Sequence, residues 1–148
     1  MITFSHKIKK NNSKILKMFT IEQIQAAHSK VQTGVDFPNY IQDLIKLGII
    51  AFETYVFDGH TDYYGKESYK ISSGEEHEKL IIADKSDVAQ FKADIKAHQQ
   101  GKTDYPTFCS DCAKSGVEKW AVSMKRMTCT YVDKAGKDIL VEIVPTPK

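Results

Sequence analysis

Cys109 and Cys112 stand three apart in TDYPTFCSDCAKSG, residues 103–116. Two thiols at that spacing can share a metal ion or exchange a disulfide. Cys129 on a later segment and His98 on the preceding helix would complete four zinc ligands, or His98 would serve a thiolate as its neighbouring base. A second constellation lies in YVFDGHTDYYG, residues 55–65, where Asp58, His60 and Asp62 alternate. On one strand face these three could hold a metal or move protons. Tyr55, Tyr63, Tyr64 and Tyr69 around them make a candidate patch for a ligand or a subunit, because tyrosine suits interfaces. His28 and His98 each lie on an apolar helix face and could line a pocket.

Each constellation has a plainer reading. CxxC without a second CxxC or a paired histidine motif is a weak metal signal. Pro106 marks a first helical turn, which puts Cys109 beyond the N-terminus where the dipole would favour a thiolate, and Cys112 in the helix middle. Asp58-Gly59 is a hairpin signal, so a solvated tip is preferred to a continuous strand. No glycine-rich phosphate cradle, nucleophile elbow or HExxH is present.

The elements that would carry these residues can be read from caps and periodicity. Thr20 with Gln23 forms a capping box that opens a helix through about Gln32, with Ile21, Ile24, Ala27, His28 and Val31 on its apolar stripe and Gly34 after it. Pro38 starts a second helix and Gly48 stops it. Strands are expected at 49–57, 61–64, 68–72 and 77–83, with SSGEEHE as a solvated loop. The pattern then restarts. Asp87 caps a helix ended by Gly101, Pro106 starts another ended by Gly116, and strands follow near 117–124, 127–133 and 137–144, the last two joined by a KAGK turn.

A shift of 68 residues lays VDFPNYIQDLIKLGI on TDYPTFCSDCAKSGV. Asp36, Pro38, Asp43, Lys46 and Gly48 then meet Asp104, Pro106, Asp111, Lys114 and Gly116. A shift of 67 aligns the preceding helices, through Gln23/Gln90, Ala26/Ala93, Gln32/Gln99 and Gly34/Gly101. The expected fold is therefore α+β: helices on an antiparallel sheet, built from a tandem duplication of a helix–helix–strands unit. The halves run about 18–83 and 84–148 and share one core. In this register Cys109 takes the place of Ile41 and Cys112 that of Leu44, both inward positions, so the cysteines are expected to act as small core residues.

The chain has 148 residues, 41% of them apolar and 27% charged, which suits one globular domain. No apolar run is long enough to span a bilayer, and three cysteines do not make a secreted disulfide framework, so a cytoplasmic location is expected. Residues 1–17 carry five lysines and no acid, a basic extension expected to be loosely attached. They leave −3 on residues 18–148 against +2 for the whole chain. Arg126 is the sole arginine among 21 basic residues, which makes the core a poor reader of nucleic acid.

FTIEQIQAAHSKVQTGVDFPNYI, the DGHTDYYG turn, HQQGKTDYPTFCSDCAKSGVEKWAV and MTCTYVDKAGKDILVEIVP resemble a bacterial family catalogued as domain of unknown function 1398, over about residues 18–148. The resemblance implies a small α+β domain. Members are often found in prophages, some under the label phage envelope protein, and none of the shared motifs is a catalytic signature. The reading that results is a non-enzymatic binding or interaction module with no cofactor and no bound metal. Its partner would be a protein, a small molecule or a second copy, met at Tyr55, His60, Tyr63, Tyr64 or His28. The alternative is a thiol-dependent enzyme or metal protein using Cys109, Cys112, Cys129 and His98.

Overall fold

Thr20 caps the first helix as its sequence requires. Its hydroxyl accepts the Gln23 N–H at 3.2 Å, and the Gln23 side chain accepts the Thr20 N–H at 2.9 Å. Helix α1 (Ile21–His28) follows, in a computed structural model that describes residues 18–32 and 34–147. The basic segment 1–17 lies outside the described residues. A short 3-10 turn, Gly34–Asp36, leads into α2 (Phe37–Leu47), with Pro38 in its first turn and Gly48 beyond its end at φ 101°. Strands β1 (Ala51–Tyr55), β2 (Thr61–Tyr64) and β3 (Lys70–Ser72) complete the first half. The second half repeats the order with α3 (Val88–Gln99), α4 (Tyr105–Lys114), β4 (Lys119–Ser123), β5 (Thr128–Val132) and β6 (Asp138–Ile143). Asp87 and Asp104 cap α3 and α4, accepting the N–H of Gln90 and of Thr107 at 3.0 and 2.9 Å. Among the described residues the class is α+β, with four α-helices and one six-stranded antiparallel sheet.

The strand order β3-β2-β1-β4-β5-β6 joins the halves at its centre, where β1 and β4 run antiparallel. Glu53 stands opposite Ala121, and these two positions are 68 residues apart. Val56 donates its N–H to the Glu118 carbonyl at 2.9 Å and Met124 donates to Ile50 at 3.0 Å, two bonds that the same shift interchanges.

The four helices of the described residues cover one face of this sheet. Phe52, Trp120, Val122, Cys129 and Tyr131 point into them and are buried, as are Ile41, Leu44, Phe91, Ile95 and Phe108. Phe91 packs on Tyr131 with ring centres 4.9 Å apart, and Phe108 on Trp120 at 5.8 Å. Each large apolar side chain removed from water in this way contributes about 1.5–3 kcal/mol.

Two expected elements differ. The first helix stops at His28 rather than Gln32, because the Ser29 hydroxyl turns back onto the Ala26 carbonyl at 2.6 Å and Val31 closes a tight turn on His28. His28 is thereby exposed, not part of a buried stripe. Residues 77–83 form no strand. They are an irregular connector, held by Leu80 N–H on Phe57 O and Ala83 N–H on Ala113 O. Ile82 plugs the core while Ile81 is 92% exposed, so the segment supplies one inward side chain and no alternating face. The connector passes directly over Gly116, where a Cβ would lie 2.8 Å from the Lys85 carbonyl oxygen. With φ 82° there as well, only glycine fits without strain.

Candidate functional site

The helix that carries CxxC turns both thiols inward. Cys109 and Cys112 are 1% and 0% exposed, and Cys129, from β5, is 5% exposed. Burial pushes Cys109 up to about 11 and Cys129 up to about 12, and raises Cys112 further, with the neighbouring Cys109 and Asp111 adding to the effect. A thiol held protonated by burial is a poor nucleophile at neutral pH. His98 faces elsewhere: its Nδ1 lies 3.1 Å from the Thr103 carbonyl, and its ring stacks on Phe108 at 4.3 Å. Among the described residues no three His, Cys, Asp or Glu side chains are grouped to hold a metal ion.

The hairpin residues separate as well. Asp58 is buried, not solvated, and its Oδ1 accepts the His60 backbone N–H at 3.0 Å and lies 2.5 Å from His60 Nδ1. Burial alone would raise its carboxyl, but these bonds and the charges of His60 and His77 hold it below the usual 3.8. Asp62 turns away to Ser72 Oγ at 2.5 Å and Lys70 at 3.7 Å. The SSGEEHE loop is mostly exposed, as expected, and it folds back over the hairpin tip, where Glu76 and His77 donate their N–H groups to the Asp58 carbonyl. Tyr63 is a core residue beside Phe52, where burial raises its hydroxyl. His28 touches Tyr40 edge-on at 5.3 Å from outside the core.

What remains together is the face of the sheet on which no helix of the described residues lies. Strand alternation puts Ala51, Glu53 and Tyr55 there, opposite in sense to the buried Phe52 and Thr54. The registers extend this into rows. One runs Lys70, Tyr64, Ala51, Ser123, Thr128, Ile143, and the next runs Ser72, Asp62, Glu53, Ala121, Thr130, Val141.

A polar and aromatic belt crosses the first half of these rows. Glu53 accepts the Tyr64 hydroxyl at 3.1 Å and Lys119 Nζ at 2.8 Å. Lys70 stands 5.8 Å from the Tyr64 ring centre and Lys119 5.4 Å from that of Tyr55, on which the His60 ring lies flat at 4.5 Å. Burial, then the Glu53 carboxylate, pushes Tyr64 up to about 12. The bond to Glu53 raises Lys119 despite its partial burial.

Beside the belt Ala51, Ala121, Ser123, Thr128 and Thr130 floor a shallow depression of about 320 Å³. Tyr64 and Glu53 wall it on one side and Arg126, on the β4–β5 turn, stands at its lip. Among the described residues Arg126 makes no ion pair. The acids and bases of the belt satisfy one another, which suits recognition better than proton transfer. Of the residues singled out from the sequence, Tyr55, His60 and Tyr64 meet here. Glu53 and Lys119 went unnoticed, although the alternation in AFETY would have placed Glu53 outward.

Among the described residues this architecture defines a small α+β domain with one sheet face that carries no helix. The chain belongs to the DUF1398 family: a family model described as protein of unknown function (DUF1398) matches residues 25–143. No curated protein matches the chain. No helix among the described residues is long and apolar enough to cross a membrane.

Proposed function

We propose that the protein is a non-enzymatic binding or interaction module and that the uncovered face over β1 and β4 is its binding surface. The observation that carries this reading is a floor of small residues lined by Tyr64, Glu53 and Arg126, with Tyr55 and Lys119 in the adjoining belt, on the sheet face where no helix of the described residues lies. Broad shallow surfaces with aromatic rings and a ready-made charge network recognise partners through contact area and a few polar anchors. The burial of the three thiols, which keeps them protonated, supports this reading over the thiol-dependent alternative.

In this reading the two halves descend from one duplicated unit. The identities at 68-residue spacing and the interchanged β1–β4 hydrogen bonds support that origin, and the binding surface sits on the line where the units meet. The module works in the cytoplasm, where reducing conditions keep its three cysteines free. The prophage setting implied by the resemblance accords with an accessory module of this kind.

The test is a screen of small anionic and aromatic metabolites and short peptides by amide NMR of the full chain. Shifts clustered on Tyr64, Ser123, Thr128 and Arg126, and lost in Tyr64→Ala, are expected. A hit that moves only helical-face amides, or no hit from the panel, overturns the reading.

A further inference from the structure

β6 is the long edge of the sheet, and its free side can be deduced from one hydrogen bond. Val144 donates its N–H to the Met127 carbonyl at 2.7 Å, and the β5–β6 register continues through Glu142 opposite Cys129 and Leu140 opposite Tyr131. Antiparallel ladders alternate, so residues 140, 142 and 144 turn their backbone groups toward β5. Val141 and Ile143 therefore turn N–H and C=O outward, to a side where no strand of the described residues lies. Their side chains, 52% and 80% exposed, stand on the uncovered face of the sheet. The same two residues thus leave both backbone polarity and apolar surface unpaired.

The opposite edge is guarded more fully than this one, whose ladder with β5 is irregular only at its start, where the register shifts between Tyr131 and Val132. β3 has only three residues and carries Lys70, a short charged edge that discourages pairing. β6 has six residues, DILVEI, with no lysine or proline between Asp138 and Ile143. Its one internal charge, Glu142, points to the helix side, where Gln99 donates to it at 3.1 Å.

We infer that β6 pairs antiparallel with β6 of a second copy of this chain, joining two six-stranded sheets into one. Charge selects the register. Pairing Val141 with Ile143 of the second copy would set Glu142 directly against Glu142, and like charges placed opposite destabilise a ladder. Centring the pair on Val141 instead sets Glu142 against Leu140 and brings the outward N–H and C=O groups of Val141 together. It also brings the two exposed valines side by side on the uncovered face. The charged belt over β1 and β2 stays in water, so this contact desolvates no ion pair. The inference stands apart from the proposed binding surface, which lies nearer the sheet centre.

The experiment is sedimentation equilibrium of the full chain over a wide concentration range, with amide hydrogen exchange at both ends of that range. The expected result is a mass twice the 16.7 kDa of one chain at high concentration. Exchange at Val141 and Ile143 should slow about tenfold or more as the dimer forms, as it does for amides newly protected by a ladder. Val141→Lys, at an exposed position, should halve the mass while its circular dichroism stays unchanged. Ser72→Lys on the opposite edge should leave the dimer intact. A chain that stays monomeric throughout overturns the inference. So does a dimer that Val141→Lys does not disturb, or one without added protection at Val141 and Ile143. Protection of the same two amides by a peptide, with the chain itself monomeric, would assign the edge to another protein and overturn it equally.

Discussion

A cysteine is chemically what its surroundings make it. Cys109 and Cys112 lie on a helix, beyond the first turn and against the sheet, where burial raises both thiols. In the native protein all three thiols are expected to react with iodoacetamide at least about 100-fold more slowly than in the unfolded chain, as for inert buried cysteines. Quenched mass spectrometry in the presence and absence of denaturant reads this directly, and a fast native thiol would reopen the enzymatic alternative. The same burial has a consequence for pH. The folded values lie above the unfolded value of 9, so the native state keeps protons that the unfolded chain releases. This contribution to stability is whole below pH 9 and is lost as pH rises through about 11 for Cys109 and about 12 for Cys129. Denaturant midpoints should therefore fall on the alkaline side, and less steeply in Cys129→Ala.

At the scale of the element, a strand sorts adjacent side chains to opposite faces. Tyr63 and Tyr64 are neighbours with opposite roles: Tyr63 packs against Phe52 in the core, and Tyr64 bonds Glu53 on the uncovered face. Tyr63→Ala is expected to cost about 3–5 kcal/mol of stability, the range for truncating a buried aromatic. Tyr64→Ala should cost about 1 kcal/mol, roughly one hydrogen bond. Urea denaturation of both variants makes the comparison. Equal losses would show that the two faces are not as different as the alternation requires. A sequence signal for this asymmetry existed in AFETY, where the charged Glu53 directly follows the apolar Phe52 and so marks the outward register. No such signal marked 77–83, whose apolar residues read as a strand. Only the position of the α4 end and of Phe57 shows that these residues serve a connector instead.

At the scale of the whole molecule, the central β1–β4 pair makes neither half complete. Residues 18–83 alone would expose the inner edge of β1 from Ala51 to Tyr55, together with the buried Phe52. Separately expressed halves, 18–83 and 84–148, are expected to lack cooperative thermal transitions, because chains of this size bury too little surface alone. Mixing them should restore part of the native circular dichroism. A half that melts cooperatively by itself would contradict a shared core.

The sequence by itself determined the elements and their inward faces. Caps at Thr20 and Asp87, stops at Gly48 and Gly116, and the inward helical positions of Ile41, Leu44, Cys109 and Cys112 are local or periodic facts, and local physics fixes them. The tertiary structure decided which outward faces meet. Tyr55, Tyr64, Glu53 and Lys119 come from strands as far apart as residues 53 and 119, and only the antiparallel register of β1 with β4 sets Lys119 beside Glu53. That register follows from the burial of both halves against one another, a long-range balance that no window of sequence contains. The uncovered face and the unpaired β6 edge arise in the same way, as what remains once the core is closed.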